Sequence, residues 1–414
     1  MKNERGMALI LVLSAITILS VAAVEFAYNT NVAYQLAVGE KNRLQATYLA
    51  RSAFEFMRLE LKYDRVFRQI VQQQGLGQML GDTAQMPLCQ QFPLSTGLVR
   101  MVFLGGGVEG EAIPEDVKRM VSMSEEEQAS SFLDFEGDFD ATCIDEATKF
   151  NLNTFSTMNP DQTAAEGQLN SYWQYRLALV QFLKNPKYAA LFELADVTPE
   201  DAVRNIADWI DPNDMIDESP GRTGGPEGSL YERAGMTYQV KNGKLLSLAE
   251  AYQIVGVSDD WYSELKNNFT VYGDGKVNIC SSERPVIEAV IRRYVGSMTN
   301  PPPIRLEDPE VMDRLVQAVG TGCQTAAGGD QQVQAVSASL TAALNPATEG
   351  GTQGQVGGRG GVDRGLQQLI TGSTRFFTLT MTGQVDQTTV KMTAVVDTQN
   401  ANATQWPVLY WKVY

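Results

Sequence analysis

The densest group of chemistry-bearing side chains lies in residues 208–232, DWIDPNDMIDESPGRTGGPEGSLYE. Asp208, Asp211, Asp214, Asp217 and Glu218 crowd together, Glu227 follows, and Arg222 is the one cation among them. Crowded carboxylates raise one another's pKa and disfavour folding unless something offsets the charge. Three chemistries fit such a segment. One is a solvated acidic surface loop. The second is a hard-cation site, because calcium takes six to eight oxygens from flexible carboxylates and carbonyls. The third is a carboxylate pair for glycoside hydrolysis, although nothing else in the chain suggests a sugar groove. The spacing is not that of an EF-hand. On a helix, three-residue steps drift by about 60° each, so the four aspartates cannot share one face. The chain is therefore expected to leave the helix near Asp211-Pro212 and wrap, turned by Gly221, Gly224 and Gly225.

Composition removes other chemistries. The chain has no histidine, which excludes Ser-His-Asp and Cys-His catalysis and every His-ligated metal site. Its net charge of −16 argues against binding a phosphate backbone, where affinity comes mainly from Lys and Arg. The four cysteines, Cys89, Cys143, Cys280 and Cys323, form no C-x-x-C pair, so zinc-ribbon and thioredoxin chemistry are excluded. Their even count and wide spacing suit two disulfides in an oxidising compartment; the alternative is four buried thiols. Pairing nearest neighbours gives Cys89–Cys143 and Cys280–Cys323, each flanking one expected unit.

The elements that must carry these groups begin with an anchor. Residues 7–24, MALILVLSAITILSVAAV, hold no charge, proline or glycine. As a helix they span about 27 Å, close to the hydrocarbon thickness of a bilayer. Lys2 and Arg5 of the leader MKNERG mark the cytoplasmic side. A cleaved secretory signal ending near Val21-Ala22-Ala23 is the competing explanation. Against it, no proline occurs from Met7 to Gln74, and Gly39 is the only glycine there. Leu49, Ala53, Met57 and Leu61 recur every fourth residue, with Arg51, Glu55, Arg58 and Lys62 between them. That pattern is an amphipathic helix, continuous with the apolar run.

Beyond the helix, residues 96–104 are apolar and β-branched and are expected to form a strand turned by Gly105-Gly106-Gly107. Residues 111–135 are acidic and suggest a surface loop or short helix. Residues 168–270 carry helical patterns, with Pro199-Glu200-Asp201 suited to a first turn. Residues 325–361, rich in Ala, Gly, Gln, Thr and Val, are expected to be a flexible linker. Residues 375–385 and 389–398 alternate as a β-hairpin, and VLYWKVY closes the chain as a strand. A helical block thus interrupts a β region. Residues 273–281, GDGKVNICS, echo 145–153. A helix-hairpin-helix over 247–295 is also possible, but the acidic balance argues against nucleic acid as its ligand.

The short basic leader ending in glycine before an unbroken apolar helix resembles the type IV pilin and pseudopilin class. That resemblance implies cleavage between Gly6 and Met7 by prepilin peptidase and methylation of the new N-terminus. Members of the class usually carry Glu at the fifth residue after the cut; here it is Leu11. This departure, the inserted helical block with its DWID segment and the segment IDEATKFNLNTF (144–155) resemble the GspK family, the large atypical minor pseudopilin of type II secretion. Asp145, Glu146, Lys149, Asn151, Leu152 and Asn153 match the family's D-E-x-G-K-hydrophobic-N-L-N pattern, with Thr148 in place of its Gly.

The resemblance implies an α+β fold. A type IV pilin-like long N-terminal helix packs on an antiparallel β-sheet, with an inserted all-helical, SAM-like domain. The expected divisions are a leader (1–6), a transmembrane helix (7–24) and its continuation (25–85). A pilin-like β region (86–155), the inserted helical domain (156–275), a return segment (276–324), the linker (325–365) and C-terminal strands (366–414) follow. The family also implies structural Ca²⁺ near the DWID segment, with Asp208, Asp211, Asp214 and Asp217 as ligands and Glu218 and Glu227 in reserve. The implied role is non-enzymatic: assembly with other minor pseudopilins at the tip of a secretion pseudopilus. The expected location is the inner membrane, single-pass through residues 7–24 in the lipid bilayer, with the head in the periplasm and no nucleic-acid partner. A minor pilin of a type IV pilus and a calcium-dependent membrane-tethered adhesin are the alternatives.

Overall fold

A computed structural model of the chain describes residues 4–74, 87–104, 135–163, 169–298, 301–326, 328–345, 364–399 and 406–414. Helix α1 (Glu4–Gln74) is 71 residues long and runs through Gly39 without a break. Residues 7–37 along it are exposed, and α1 is the one helix among the described residues long and apolar enough to cross a membrane. Further along, Ala46, Leu49, Ala50, Ala53, Phe54, Met57 and Leu61 turn one face into a core. The same helix is therefore lipid-compatible at one end and amphipathic at the other.

That face lies on a five-stranded antiparallel sheet. Helix α2 (Leu88–Gln91) precedes strand β1 (Leu94–Ser95), helix α3 (Thr96–Leu104) and strand β2 (Asp138–Asp145). The frame resumes at β7 (Phe376–Val385), β8 (Thr388–Asp397) and β9 (Val408–Val413), in the order β1-β2-β7-β8-β9. Burial alternates strictly along β2, the mark of a sheet with one covered face. α1 meets β7 at Gly383, where an added Cβ would lie 2.0 Å from the carbonyl oxygen of Ala46. Glycine facing small residues lets the two backbones touch. The Cys89 and Cys143 sulfurs join α2 to β2, with Cα atoms 5.8 Å apart.

Between β2 and β7, neighbours in the sheet, the chain builds a second body with its own core from Phe150 to Ile370. In order it contains β3 (Phe150–Asn151), α4 (Ser171–Leu183), α5 (Ala189–Ala195), α6 (Pro199–Ile210), β4 (Met215–Ser219) and β5 (Arg222–Pro226). There follow α7 (Gly228–Arg233), α8 (Asp259–Leu265), β6 (Phe269–Thr270), α9 (Arg284–Gly296), α10 (Pro309–Thr325), α11 (Gly329–Leu344) and α12 (Arg364–Leu369). β3 pairs in parallel with β6, and β4 with β5 as a small hairpin, so the insertion is mainly rather than wholly helical. The Cys280–Cys323 disulfide ties the segment before α9 to α10.

The two echoing segments form the joint between the bodies. Asp145 accepts from the Ala147 amide (2.9 Å) and from Asn278 Nδ2 (3.0 Å). Glu146, buried, accepts from Lys149 Nζ (2.6 Å), from Thr378 Oγ1 on β7 (2.7 Å) and from Thr270 Oγ1 on β6. One carboxylate is thus bonded to the sheet and to the insertion at once.

Three expectations are corrected. Residues 96–104 form α3, not a strand. The Ser95 hydroxyl accepts from the Leu98 amide in the first turn, and Thr96 exchanges hydrogen bonds with the backbone of Phe139; an apolar run this short fits either element by pattern. Much of the expected linker at 325–365 is α11, where Val333, Val336, Leu340 and Leu344 are buried at helical spacing; its Ala- and Gln-rich composition hid that period. The insertion runs from about residue 146 to 375 and absorbs the return segment. Val277 bonds backbone to backbone with Leu369 and Thr371, and α9 and α10 lie in the same core. The expected acidic loop at 111–134, the Gly105–Gly107 turn and residues 346–361 lie outside the described residues.

Candidate metal centre

The acidic segment starts on a well-formed helix. Thr198 caps α6 by accepting from the Asp201 amide (3.1 Å), Pro199 opens its first turn, and Glu200 and Asp201 lie at its positive end. The inner face buries Val203, Ile206, Asp208, Trp209 and Ile210. The helix stops at Asp211, which is extended (ψ 162°). The proline that follows disfavours helical backbone at the residue before it and has no N–H to donate. The chain then folds back as the β4–β5 hairpin and returns Asp217 to the end of α6.

This path brings Asp208, Asp211 and Asp217 together, with a carboxylate oxygen of each within 4.8 Å of the others and all three residues buried. Asp211 accepts from Tyr172 Oη (3.0 Å) and Asn213 Nδ2 (3.0 Å), and the Asp217 amide donates to Asp208 (3.4 Å). Arg176 donates to the Asp217 carbonyl. Glu227 is 3% exposed, and neither of its carboxylate oxygens has a hydrogen-bond partner among the described residues. Its amide donates to the Asp214 carbonyl (3.1 Å), which holds it against the loop. Asp214 and Glu218 stand outside the group. Asp214 is exposed and accepts from Asn242 Nδ2 (2.6 Å), while Glu218 pairs with Arg222 (2.8 Å). Of the six sequence candidates, three therefore come together, and a fourth, Glu227, is buried near enough to feel their charge.

Burial dominates the electrostatics. It pushes Asp208 up to about 8, an effect increased by Asp211 and opposed by Arg176. It pushes Asp211 to about 7, with Asp217 adding to the rise and Tyr172 opposing it. Asp217 also rises, mainly through burial. Glu227 reaches about 9, through burial and then the charges of Asp208, Asp211, Asp214 and Asp217. These are carboxylates that stay protonated near neutrality or need a cation. The donor set is all oxygen, with no histidine or free thiol, and so fits a hard ion such as Ca²⁺ rather than a transition metal.

Tyr172, Arg176, Asn213 and Asn242 were not singled out from sequence. Asn213 lies inside the D-P-N-D run and could have been. Tyr172 and Arg176 sit one helical turn apart on α4, more than 30 residues upstream, with no local signal. The processing residues Gly6 and Met7 lie near the start of α1, where Met7 is exposed.

Residues 148–274, which hold this group and most of the first half of the insertion, match the family described as Type II secretion system (T2SS), protein K. No curated protein matches the chain. Among solved structures, it is similar to a chain of the GspK-GspI-GspJ complex from the enterotoxigenic Escherichia coli Type 2 Secretion System. Identity is 15%, coverage is 67% of this chain and 80% of that one, and the TM-score is 0.40. The family match thus covers the first part of the inserted body, which is set into a sheet that packs on a long, half-apolar N-terminal helix.

Proposed function

We propose that this chain is a minor pseudopilin of the protein K family of type II secretion, that it caps the tip of a secretion pseudopilus, and that it has no catalytic role. The observation that carries the proposal is the place of the family-matched domain: it bulges from between two adjacent strands, β2 and β7, of a pilin-like frame. Such a bulk suits the end of a helical array better than its interior. Leu11 suits the same place. A carboxylate inside the bilayer is costly unless it is paired, and a terminal subunit has no subunit above it to supply an amine. On this reading, prepilin peptidase cuts between Gly6 and Met7, residues 7–24 cross the inner membrane, and the head lies in the periplasm. The partners are other minor pseudopilins, met first through the exposed length of α1. Asp208, Asp211, Asp217 and Glu227 hold a structural Ca²⁺, whose charge offsets theirs and fixes the β4–β5 hairpin on α6.

N-terminal sequencing of membrane-extracted protein, with site-specific crosslinking to the minor pseudopilins of the same system, tests the assignment. A mature start at Met7 and crosslinks from the exposed face of α1 support it. A start near Glu25, or crosslinks to the major subunit on both sides along the shaft, overturn it.

A further inference from the structure

A buried cation on the far side of α4 has no counter-ion. Arg293 lies on α9, which packs against α4. It is 8% exposed, and its guanidinium sits over the Tyr175 ring at 5.1 Å. Among the described residues it forms no ion pair, and its Nε has no hydrogen-bond partner. Burial pushes it down to about 10, with Tyr175 opposing the fall, so it is charged at neutral pH. A charge taken out of water without a partner is strongly unfavourable, and such a group marks a candidate functional position.

Arg293 lines a cleft of about 150 Å³ between α4 and α9. Arg292 stands beside it, Gln181 supplies an amide, and Leu177, Ala178 and Leu306 make the rest of the wall apolar. Arg292 is half-buried, and neither it nor Gln181 has a side-chain partner among the described residues. Glu307, exposed, is the one carboxylate on the lining, and it pairs with neither arginine. Two guanidiniums thus stand against one carboxylate, with uncommitted donors next to an apolar wall. A chain of net charge −16 repels a dianion more than a monoanion. A single carboxylate on a short aliphatic stem meets each feature: it accepts from a guanidinium in the bidentate manner, carries one charge, and has an apolar part for the wall.

We propose that this cleft is a carboxylate-binding site, in which Arg293 and Arg292 hold the anion and Leu177, Ala178 and Leu306 cover its aliphatic stem. The ligand is a free short-chain carboxylate or a glutamate side chain presented by another polypeptide; the chemistry at the site is the same. Gln181 offers a further N–H donor. Binding only the folded chain, the carboxylate stabilises it by mass action. The site shares no residue with the acidic group and stands whether or not calcium binds there.

The test uses butyrate as the probe, butyramide as its neutral control and sulfate as a dianionic competitor, followed by ligand-observed NMR on residues 28–414. Removing residues 1–27 takes no residue from either core. Butyrate should bind, butyramide should bind more weakly, and equimolar sulfate should displace little of the butyrate. Arg293→Met should abolish binding. Arg292→Gln should weaken it about tenfold, the loss of one charge-assisted hydrogen bond. Glu307→Gln removes the like charge at an exposed position and should tighten binding by up to about fivefold. These two variants carry the test if Arg293→Met does not fold. No binding of butyrate, equal binding of butyramide, full displacement by equimolar sulfate, or affinity unchanged by the arginine substitutions each overturn the proposal. So does a Glu307→Gln protein that melts several degrees lower and binds no tighter, because Glu307 is then the counter-ion of Arg293. Capped Ala-Glu-Ala and Ala-Gln-Ala peptides separate the sources. A Glu peptide that binds as butyrate does, with its Gln counterpart silent, assigns the site to a polypeptide's carboxylate; binding of butyrate alone assigns it to a free one.

Discussion

Chelating divalent ions should destabilise the head, and the geometry gives the scale. Carboxylates within 4.8 Å of one another repel by about 3.5 kcal/mol per ionised pair at an effective dielectric near 20. Three such pairs approach 10 kcal/mol, comparable to the whole stability of a domain. The ion-free fold therefore keeps protons on the group, as the rise of Asp211 to about 7 and Asp208 to about 8 expresses. The sign follows from proton uptake. Above the ordinary aspartate value of 3.8 the unfolded chain has released these protons and the ion-free fold has not. Stability in chelator should thus fall as pH rises from about 4 to 8 and level off above. For Asp211 alone the loss is about 4 kcal/mol. Calcium at 100 times its dissociation constant adds about 2.7 kcal/mol. In a unit of this size that raises the melting temperature by roughly 5–10 °C. Thermal melts of residues 28–414 from pH 5 to 9, with calcium and with chelator, measure both effects. Asp211→Asn should melt higher than the parent in chelator and lose most of the calcium response. Coincident curves with and without calcium, or an Asp211→Asn protein that melts lower in chelator yet keeps the full response, would refute the reasoning.

Four further outcomes are expected. Gly383→Ala should lift α1 from β7, because the new Cβ meets backbone atoms of Ala46 and Ala50 at 2.0 and 2.8 Å; a loss of about 1–3 kcal/mol or more in denaturant unfolding is expected. Gly97→Ala, whose nearest neighbour is Ser95 Oγ at 3.8 Å, serves as its near-neutral control. Glu146→Gln leaves Lys149 without its carboxylate in a buried joint and should cost about 3 kcal/mol; an unchanged melt would show that the joint is solvated. Replacing Cys280 and Cys323 by Ser opens a loop of 43 residues and should cost about 4 kcal/mol in the chain-entropy account, read by chemical unfolding with and without reductant. If the proposed anchor and tip position hold, Leu11→Glu puts an unpaired carboxylate in the bilayer at about 3 kcal/mol and should lower secretion in a complementation assay; improved secretion would count against a tip position.

The parts of the fold that were readable from sequence are those with a clear period or a special residue. An unbroken apolar run that continues without proline into Leu49, Ala53, Met57 and Leu61 reads as one long helix, exposed along its first half and buried on one face further along. Alternation in 375–398 announces the β7–β8 hairpin. Pro212 after Asp211 marks the place where α6 must end, so the wrap of the acidic loop was visible too. The failures have physical causes of their own. In 96–104 strand and helix patterns coincide, and a serine cap with a threonine–backbone exchange decides between them. In 329–344 a low-complexity composition conceals a buried stripe. The centre was half readable. Its carboxylates lie close in sequence, but whether Asp214 or Glu227 faces inward depends on the register of β4 against β5, which is irregular. Tyr172 and Arg176 come from another helix, and only tertiary packing brings them in.

Inserting some 230 residues between adjacent strands is feasible because the insertion's two ends are already held together. β2 and β7 pair through to Asp145 opposite Phe377, so the inserted body begins and ends at neighbouring points, and closing a long loop there costs little more entropy than closing a short one. The remaining need is to stop the body from swinging on that hinge. The echoing segments meet it. Asn278 reaches back to Asp145, and Glu146 bonds to Thr270 on one side and Thr378 on the other. Within the insertion, the Asn151 side-chain amide donates to the Gly273 carbonyl (2.8 Å) and holds the two echoing segments together. These contacts explain why acidic and amide residues recur at matched places in 145–153 and 273–281: each segment supplies what the other lacks. Hydrogen bonds on both sides of the hinge restrain the insertion against the sheet that packs on α1. On the proposed tip position that rigidity has a use, because force on the insertion would have to reach α1.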